Sequence, residues 1–294
     1  MLGVRPRSFA AWTAAAVLAA LMLSSPAARQ AAPFFFIQMS DPQFGMFADD
    51  MDFAQETVNF EMAIATANRL RPAFVVITGD LVNKPLDRAQ VDEFERIAGR
   101  LDTRIPLYRV AGNHDVENVP TPESVAAYVK RQGRDYYSFR QGSVTGIVLN
   151  SSVIHSPAKA PALLDTQRAW LENELAAARQ AGARHLIVFQ HHPWFLKQAD
   201  EPDEYFNIPL DRRRGYLDLF RRHGVTALVS GHYHRNALGR DGVIEMITTG
   251  PVGKPLGEGT QSGFRVFVID DAGALSHRYY ALGELPNRIE LPKK

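Results

Sequence analysis

The 294-residue chain contains no cysteine. Disulfides, thiolate metal sites, a cysteine nucleophile and a lipid-modified cysteine anchor are therefore excluded. Any metal must be held by His, Asp, Asn, Gln or Glu, donors that suit hard or borderline divalent ions. The chain also lacks an excess of charge: 33 Lys and Arg against 32 Asp and Glu leave a net charge of +1. That balance gives no sign of a nucleic-acid surface. The densest basic run, Arg212-Arg213-Arg214, reads as a solvated helix face. No Walker-type motif, internal repeat or low-complexity linker is present. At 46% hydrophobic and 22% charged, the chain is too apolar for disorder.

Long apolar runs are missing too, with one exception. Arg5 and Arg7 precede an apolar stretch over residues 9–23, and Ser25-Pro26-Ala27 follows. This reads as a secretory signal peptide over residues 1–27, with cleavage near Ala27 or as late as Ala32. The run is short for a membrane span. An uncleaved N-terminal anchor is the other reading. With the signal removed no stable membrane anchor remains. An exported protein, periplasmic or secreted, is expected, with one domain over residues 33–294. No protein partner can be inferred.

What is present is an alternation of strands and helices. Residues 34–39, 73–78, 106–111, 185–190 and 226–229 are strands rich in β-favouring residues, apolar as buried strands are. Residues 58–70, 90–101 and 211–222 carry apolar side chains at helical spacing. Thr121 and Pro122 start a further helix, and Asp165 caps another over 165–181 that Gly182 stops. Residues 136–140 and 144–150 read as a hairpin, and strands over 243–249, 264–270 and 275–280 close the chain. The pattern indicates an α/β or α+β sheet protein with one core.

Five of these strands end in metal-ligand chemistry: Asp41-Pro42-Gln43, Gly79-Asp80, Gly112-Asn113-His114-Asp115, His191-His192-Pro193 and Gly231-His232-Tyr233-His234. In α/β sheets functional groups gather beyond the carboxyl ends of strands. Each segment alone has a plain turn as its bland reading. His232 and His234 point to one side of an extended chain and could grip one ion or two neighbouring ions.

In this order the five segments resemble the signature of the calcineurin-like metallophosphoesterases. The likeness is closer still to a serine/threonine phosphatase branch known from animals. It extends through Ser40–Gly45, 187–191, 205–207, 230–236 and 277–280, and runs from about Phe34 to Leu285. The resemblance implies a four-layer sandwich: two packed mixed β-sheets flanked by helices, with two divalent ions (Mn, Fe, Zn or Mg) at one end. By motif, Asp80 would bridge the ions, Asp41 and His234 would hold the first, and Asn113, His191 and His232 the second. The usual first motif is Asp-x-His, and Gln43 stands where that His would be. Gln43 would bind the first ion directly, bind it through water, or leave that corner open. Asn83 could assist.

The resemblance further implies a phosphohydrolase, with in-line attack on phosphorus by hydroxide activated between the ions. His114 would protonate the leaving oxygen and Asp115 would orient that imidazole. Asn113 and His114 would contact the phosphate ester, and Arg235 would either hold a phosphate oxygen or form a surface salt bridge. Trp194, Phe195, Tyr205 and Phe206 would either shape the pocket or pack in the core, and His192 would point away from the ions toward substrate. A phosphomonoesterase is expected. A nucleotide phosphodiesterase and a non-catalytic metal- or phosphate-binding protein are the alternatives.

Overall fold

Alternate residues of the strands face opposite sides, and here both sides are covered. In strand β1 (Phe34–Met39), Phe36 enters a layer between two sheets while Ile37 and Met39 face helices. In β6 (His185–Phe189), Ile187 and Phe189 enter that same layer while Leu186 and Val188 face the other helices. This two-sided burial is why the strands read as apolar throughout. The computed structural model describes Gly3 and residues 32–292. The expected signal peptide, Gly3 aside, lies outside the described residues.

Among the described residues, β1 is followed by α1 (Ala54–Leu70), β2 (Val75–Ile77), α2 (Arg88–Ala98), β3 (Leu107–Arg109), α3 (Asn113–Val116) and α4 (Pro122–Gln132). Next come β4 (Tyr137–Gln141), β5 (Val144–Val148), α5 (Ser151–His155), α6 (Pro161–Gln180), β6, α7 (Leu210–His223) and β7 (Ala227–Ser230). The chain closes with β8 (Ala237–Asp241), β9 (Ile244–Thr248), β10 (Gly263–Ile269) and β11 (Leu275–Ala281). One sheet has the order β11-β10-β1-β2-β3 and the other β4-β5-β6-β7-β9-β8. The strands β1, β2 and β3 are parallel, as are β5, β6, β7 and β9, while β10, β11, β4 and β8 run antiparallel to their neighbours. The sheets are therefore mixed, as expected.

Phe36 joins the two sheets. It stacks on Phe74 and Phe267 at 4.4 and 4.7 Å and meets Phe189 of the opposite sheet edge-on at 6.1 Å. Each such buried ring contributes on the order of 2 kcal/mol. Outside the sheets, α1 and α2 pack Phe60, Ile64, Phe94 and Ile97 on one face, and α6 and α7 pack Leu171, Leu175, Leu217 and Phe220 on the other. Helix, sheet, sheet and helix form the four layers. Among the described residues no helix is long and apolar enough to cross a membrane.

Three local expectations are corrected. Asp165 does not cap a helix, because α6 begins a turn earlier with Pro161 in its first turn. Strand β8 was not anticipated; it lies at the sheet edge with its alternate residues in solvent. Arg212-Arg213-Arg214 is not a solvated face throughout, since Arg213 is fully buried. Its guanidinium donates to the carbonyls of Ile208, Ala199 and Glu201 at 2.9, 3.2 and 2.7 Å, tying down the loop before α7.

Candidate metal centre

The registers β1–β2, β2–β3 and β6–β7 pair Met39 with Ile77, Ile77 with Arg109, and Phe189 with Val229, so the parallel strands of each sheet end at one level. Immediately beyond lie Asp41, Asp80, Asn113, His191 and His232, all buried. Backbone bonds stitch the turns together: Asp41 N donates to Gly79 O at 3.1 Å, Gln43 N to Asp80 O at 2.9 Å, and Gly231 N to His191 O at 3.0 Å. Glycine is required where ligands press on the chain. A Cβ at Gly112 would lie 2.1 Å from Asp80 Oδ1, and one at Gly231 would lie 2.5 Å from Asp41 Oδ2. Asp41, Gln43, Asp80, His232 and His234 adopt positive φ values of 47, 37, 49, 66 and 53°. Such left-handed residues cost on the order of 1 kcal/mol each, strain of a kind that collects at functional sites.

Two groups of ligand atoms result. Asp80, His191 and His232 form one, and Asp41, Asp80 and His234 the other, with the atoms of each group within 4.8 Å of one another. Asp80 belongs to both. Hydrogen bonds fix the tautomers. His191 Nδ1 donates to Thr78 O at 2.8 Å and His234 Nδ1 to Lys254 O at 2.6 Å. Each ring therefore aims a bare Nε2 at the carboxylates. His191 Nε2 lies 3.2 Å from Asp80 Oδ2, 2.9 Å from Asn113 Oδ1 and 3.1 Å from His232 Nδ1. His234 Nε2 lies 3.4 Å from Asp41 Oδ1. Asn113 Nδ2 is turned outward, donating to Asn118 Oδ1 at 2.8 Å, so its oxygen faces the cluster. Gln43 Oε1 is buried with no hydrogen-bond partner.

These are acceptors pointed at acceptors. A buried cluster of lone pairs is tolerable only around a cation. The donors fit divalent metal ions: carboxylates and amide oxygens on one side, more imidazole on the other. Burial opposes charge on His191, but Asp80 and Asp41 outweigh it and hold the imidazole up at about 9. Burial also raises Asp41 and drives His232 well down, and His191 repels charge on His232 further. Asp80 is pushed up by burial, yet His191 and His114 bring it below the usual carboxylate range.

The segment Asn113-His114-Asp115 forms one helical turn, α3. His114 N donates to Asp80 Oδ1 at 2.9 Å, which places the residue against the shared carboxylate. Its Nδ1 bonds Asn83 O at 2.9 Å, leaving Nε2 to carry or release a proton. Asp115 does not orient this ring. Its carboxylate accepts from Gly112 N at 2.8 Å and Leu81 N at 3.0 Å, holding the Asp80 and Asn113 turns together. Consecutive residues of a helix point apart, so the two side chains cannot face one another. Burial, with Asp80 adding to it, pushes Asp115 up to about 7.

The other expected contributors divide. His192 is buried, its ring 4.6 Å from that of His155 and 4.3 Å from that of His232, and its Nδ1 is bonded to Ser151 Oγ at 3.0 Å. Trp194 and Phe195 are core residues under α7. Tyr205 and Phe206 instead stand over His232, with ring centroids at 5.1 and 5.6 Å, and the Tyr205 phenol reaches the Asn113 side chain. Arg235 lies 4.3 Å over the Tyr233 ring, its Nε buried without a hydrogen-bond partner. Asn83 bonds Gln43 rather than entering the cluster.

The sequence reading missed the support behind the first group. Ser40 Oγ donates to Asp41 Oδ2, Thr78 Oγ1 to Ser40 Oγ at 2.9 Å, and Gln38 Nε2 to Thr78 Oγ1 at 2.9 Å. Gln38 Oε1 accepts from Thr249, which accepts from the buried Arg265. A polar Gln38 within an otherwise apolar strand was the available signal.

Residues 36–236 match the family model described as calcineurin-like phosphoesterase. The chain is similar to the serine/threonine-protein phosphatase CPPED1 of Bos taurus, 41% identical with 87% of this chain and 86% of the relative covered, and of Homo sapiens, 40% identical with the same coverage. It shares a fold with a dimetal phosphatase from Danio rerio (16% identical, TM-score 0.59, 80% of this chain and 92% of that one). A purple acid phosphatase from yellow lupin seeds is likewise similar (14%, TM-score 0.66, 87% and 53%). The family model, relatives alike along most of their length and a buried cluster built for divalent cations agree: this chain belongs to the calcineurin-like phosphoesterase family and is a metallophosphoesterase, a hydrolase of phosphate esters.

Proposed function

We propose that the chain hydrolyses phosphate monoesters at a centre of two divalent ions. Asp41, Gln43, Asp80 and His234 hold the first ion, and Asp80, Asn113, His191 and His232 the second. The observation that carries this reading is that two groups of buried ligand atoms share Asp80. When bound, the ions lower the pKa of water and neutralise charge on the phosphoryl oxygens. The residues do the rest. The carbonyls of Thr78 and Lys254 keep His191 and His234 in the ligating tautomer. The backbone of His114, anchored on Asp80, sets its ring beside the ester, and Nε2 delivers a proton to the leaving oxygen. Arg235 binds a phosphoryl oxygen, its guanidinium matching phosphate geometry. Tyr205 and Phe206 wall the side of the site above His232.

The test is p-nitrophenyl phosphate against its bis-ester, with Mn²⁺ added and then chelated. Chelator-sensitive turnover that favours the monoester is expected. Faster turnover of the bis-ester would move the assignment to a nucleotide phosphodiesterase. No turnover of either would leave a non-catalytic binding protein. The serine/threonine specificity in the relatives' name becomes a question for phosphopeptides in the same assay. We also propose that residues 1–27 direct export. Mass spectrometry of secreted material should find an N-terminus between residues 28 and 33, and an intact Met1 would overturn this.

A further inference from the structure

Gln43 stands where the usual first motif has His, and its usefulness as a ligand depends on which end of its amide faces the cluster. An oxygen can hold a cation; an NH₂ group cannot. Three side chains fix the choice. Asp50 is a carboxylate and only accepts. It receives Asn83 Nδ2 at 2.8 Å, Gln90 Nε2 at 2.8 Å and Lys84 Nζ at 2.9 Å. Asn83 must therefore turn its NH₂ to Asp50 and its oxygen to Gln43. That oxygen accepts Gln43 Nε2 at 3.1 Å. With its NH₂ so engaged, Gln43 is left with Oε1 buried and unpartnered, on a residue whose backbone N is itself bonded to Asp80 O at 2.9 Å.

The relay is itself pinned. Gln90 is buried, and its Oε1 accepts Lys84 N at 2.8 Å, so its own amide is fixed with NH₂ toward Asp50. Burial works against charge on Asp50, but the bonds from Asn83, Lys84 and Gln90 outweigh it and hold the carboxyl below its ordinary range. The backbone carbonyl of Asn83 meanwhile holds His114 Nδ1. One residue thus orients both an ion ligand and the proton donor.

We propose that Asp50 is a positioning residue that acts through Asn83 to present Gln43 Oε1, and not its NH₂ group, to the first ion. This rests on the two-ion reading above. The first group then offers three oxygen-bearing side chains and a single imidazole, and leans further toward Mn²⁺ or Mg²⁺ than the imidazole-richer second group does. Position 50 lies outside the five ligand motifs, so no motif points to it.

The experiment is Mn²⁺ binding to the full chain, by calorimetry and by electron paramagnetic resonance. Asp50→Asn keeps the shape but lets both amides flip, and should weaken one of two Mn²⁺ sites on the order of 10–100-fold, as loss of an outer-shell partner does. Gln43→Glu alone should also weaken it, because a carboxylate at 43 needs a donor and Asn83 has already given its NH₂ to Asp50. The double variant Gln43→Glu/Asp50→Asn reverses the whole relay and should recover most of the affinity. A packing role for Asp50 predicts no such recovery. Wild-type affinity at both sites in Asp50→Asn, or a double variant no better than the singles, overturns the proposal while leaving the two-ion centre standing. Wild-type protein that binds no Mn²⁺ overturns the centre itself and the relay with it.

Discussion

The two ligand groups share Asp80 but are built differently. In the reading proposed above, the first draws on Asp41 and Gln43 from a single turn after β1, and its donors would be mostly oxygen. Two polar relays support it, one through Ser40, Thr78 and Gln38, the other through Asn83 and Asp50. The second draws on three separate strand ends and brings two imidazoles within 3.1 Å of one another. Its support is backbone carbonyl and aromatic wall. The contrast teaches that ligand softness and outer-shell design go together. An imidazole needs one hydrogen bond to fix its tautomer. An amide also needs its orientation fixed, and that takes a chain of side chains ending in a group that can only accept.

The largest expected effect removes the comparison altogether. Asp80→Ala takes a ligand from both groups, so Mn²⁺ uptake and turnover should both be lost; retention of one ion at wild-type affinity would show that the groups are independent. Next comes His114→Ala, which leaves the ligands in place. Both ions should still bind, while kcat falls about 10²–10⁴-fold for an alkyl phosphate. It should fall less for p-nitrophenyl phosphate, whose leaving group needs little protonation. Equal losses on both substrates would sink the acid role.

A third test separates the groups by proton linkage. The metal-free protein holds His191 up at about 9, above its ordinary 6.5. A raised pKa of this kind gives stability that is fully present below 6.5 and is lost as pH rises through 9. Ion uptake by the group containing His191 must displace that proton. Its affinity should therefore rise on the order of tenfold per pH unit between these limits. Calorimetry in buffers of different ionisation heat would detect the released proton, and a pH-independent affinity would contradict this account. The smallest effect is expected from Gln43→His. An imidazole there makes the first group resemble the second, and preference should shift a few-fold from Mn²⁺ toward zinc. Unchanged preference in competition dialysis would mean that Gln43 does not touch the ion.

Much of this centre was legible early, because its residues sit at strand ends and strand ends announce themselves by Gly, Pro and a change of period. Asp80, His191 and His232 fall where that logic put them. Asp115 did not, since spacing in sequence cannot show that Asn113 to Val116 coils into a helical turn and swings neighbouring side chains apart. Arg213 misled for a similar reason. A run of three arginines looks like solvent, and only the fold of the preceding loop shows three carbonyls waiting for the middle one.

The sequence alone determined the alternation of strands and helices, because apolar periodicity shows it, and the ligand types, because the absence of cysteine leaves imidazole and oxygen donors; the layers and the chemistry followed from the family resemblance that the five motifs carry. Only the tertiary structure decided which nitrogen of His191 and of His234 is bare, which end of the Gln43 amide Asn83 engages, and which carboxylate merely holds two turns together. Most of these are properties of hydrogen bonds between separate segments, such as Gln43 with Asn83, 40 residues apart, and His191 with Thr78, 113 apart. A donor's direction is set by its partner across the fold, and that partner has no fixed distance along the chain.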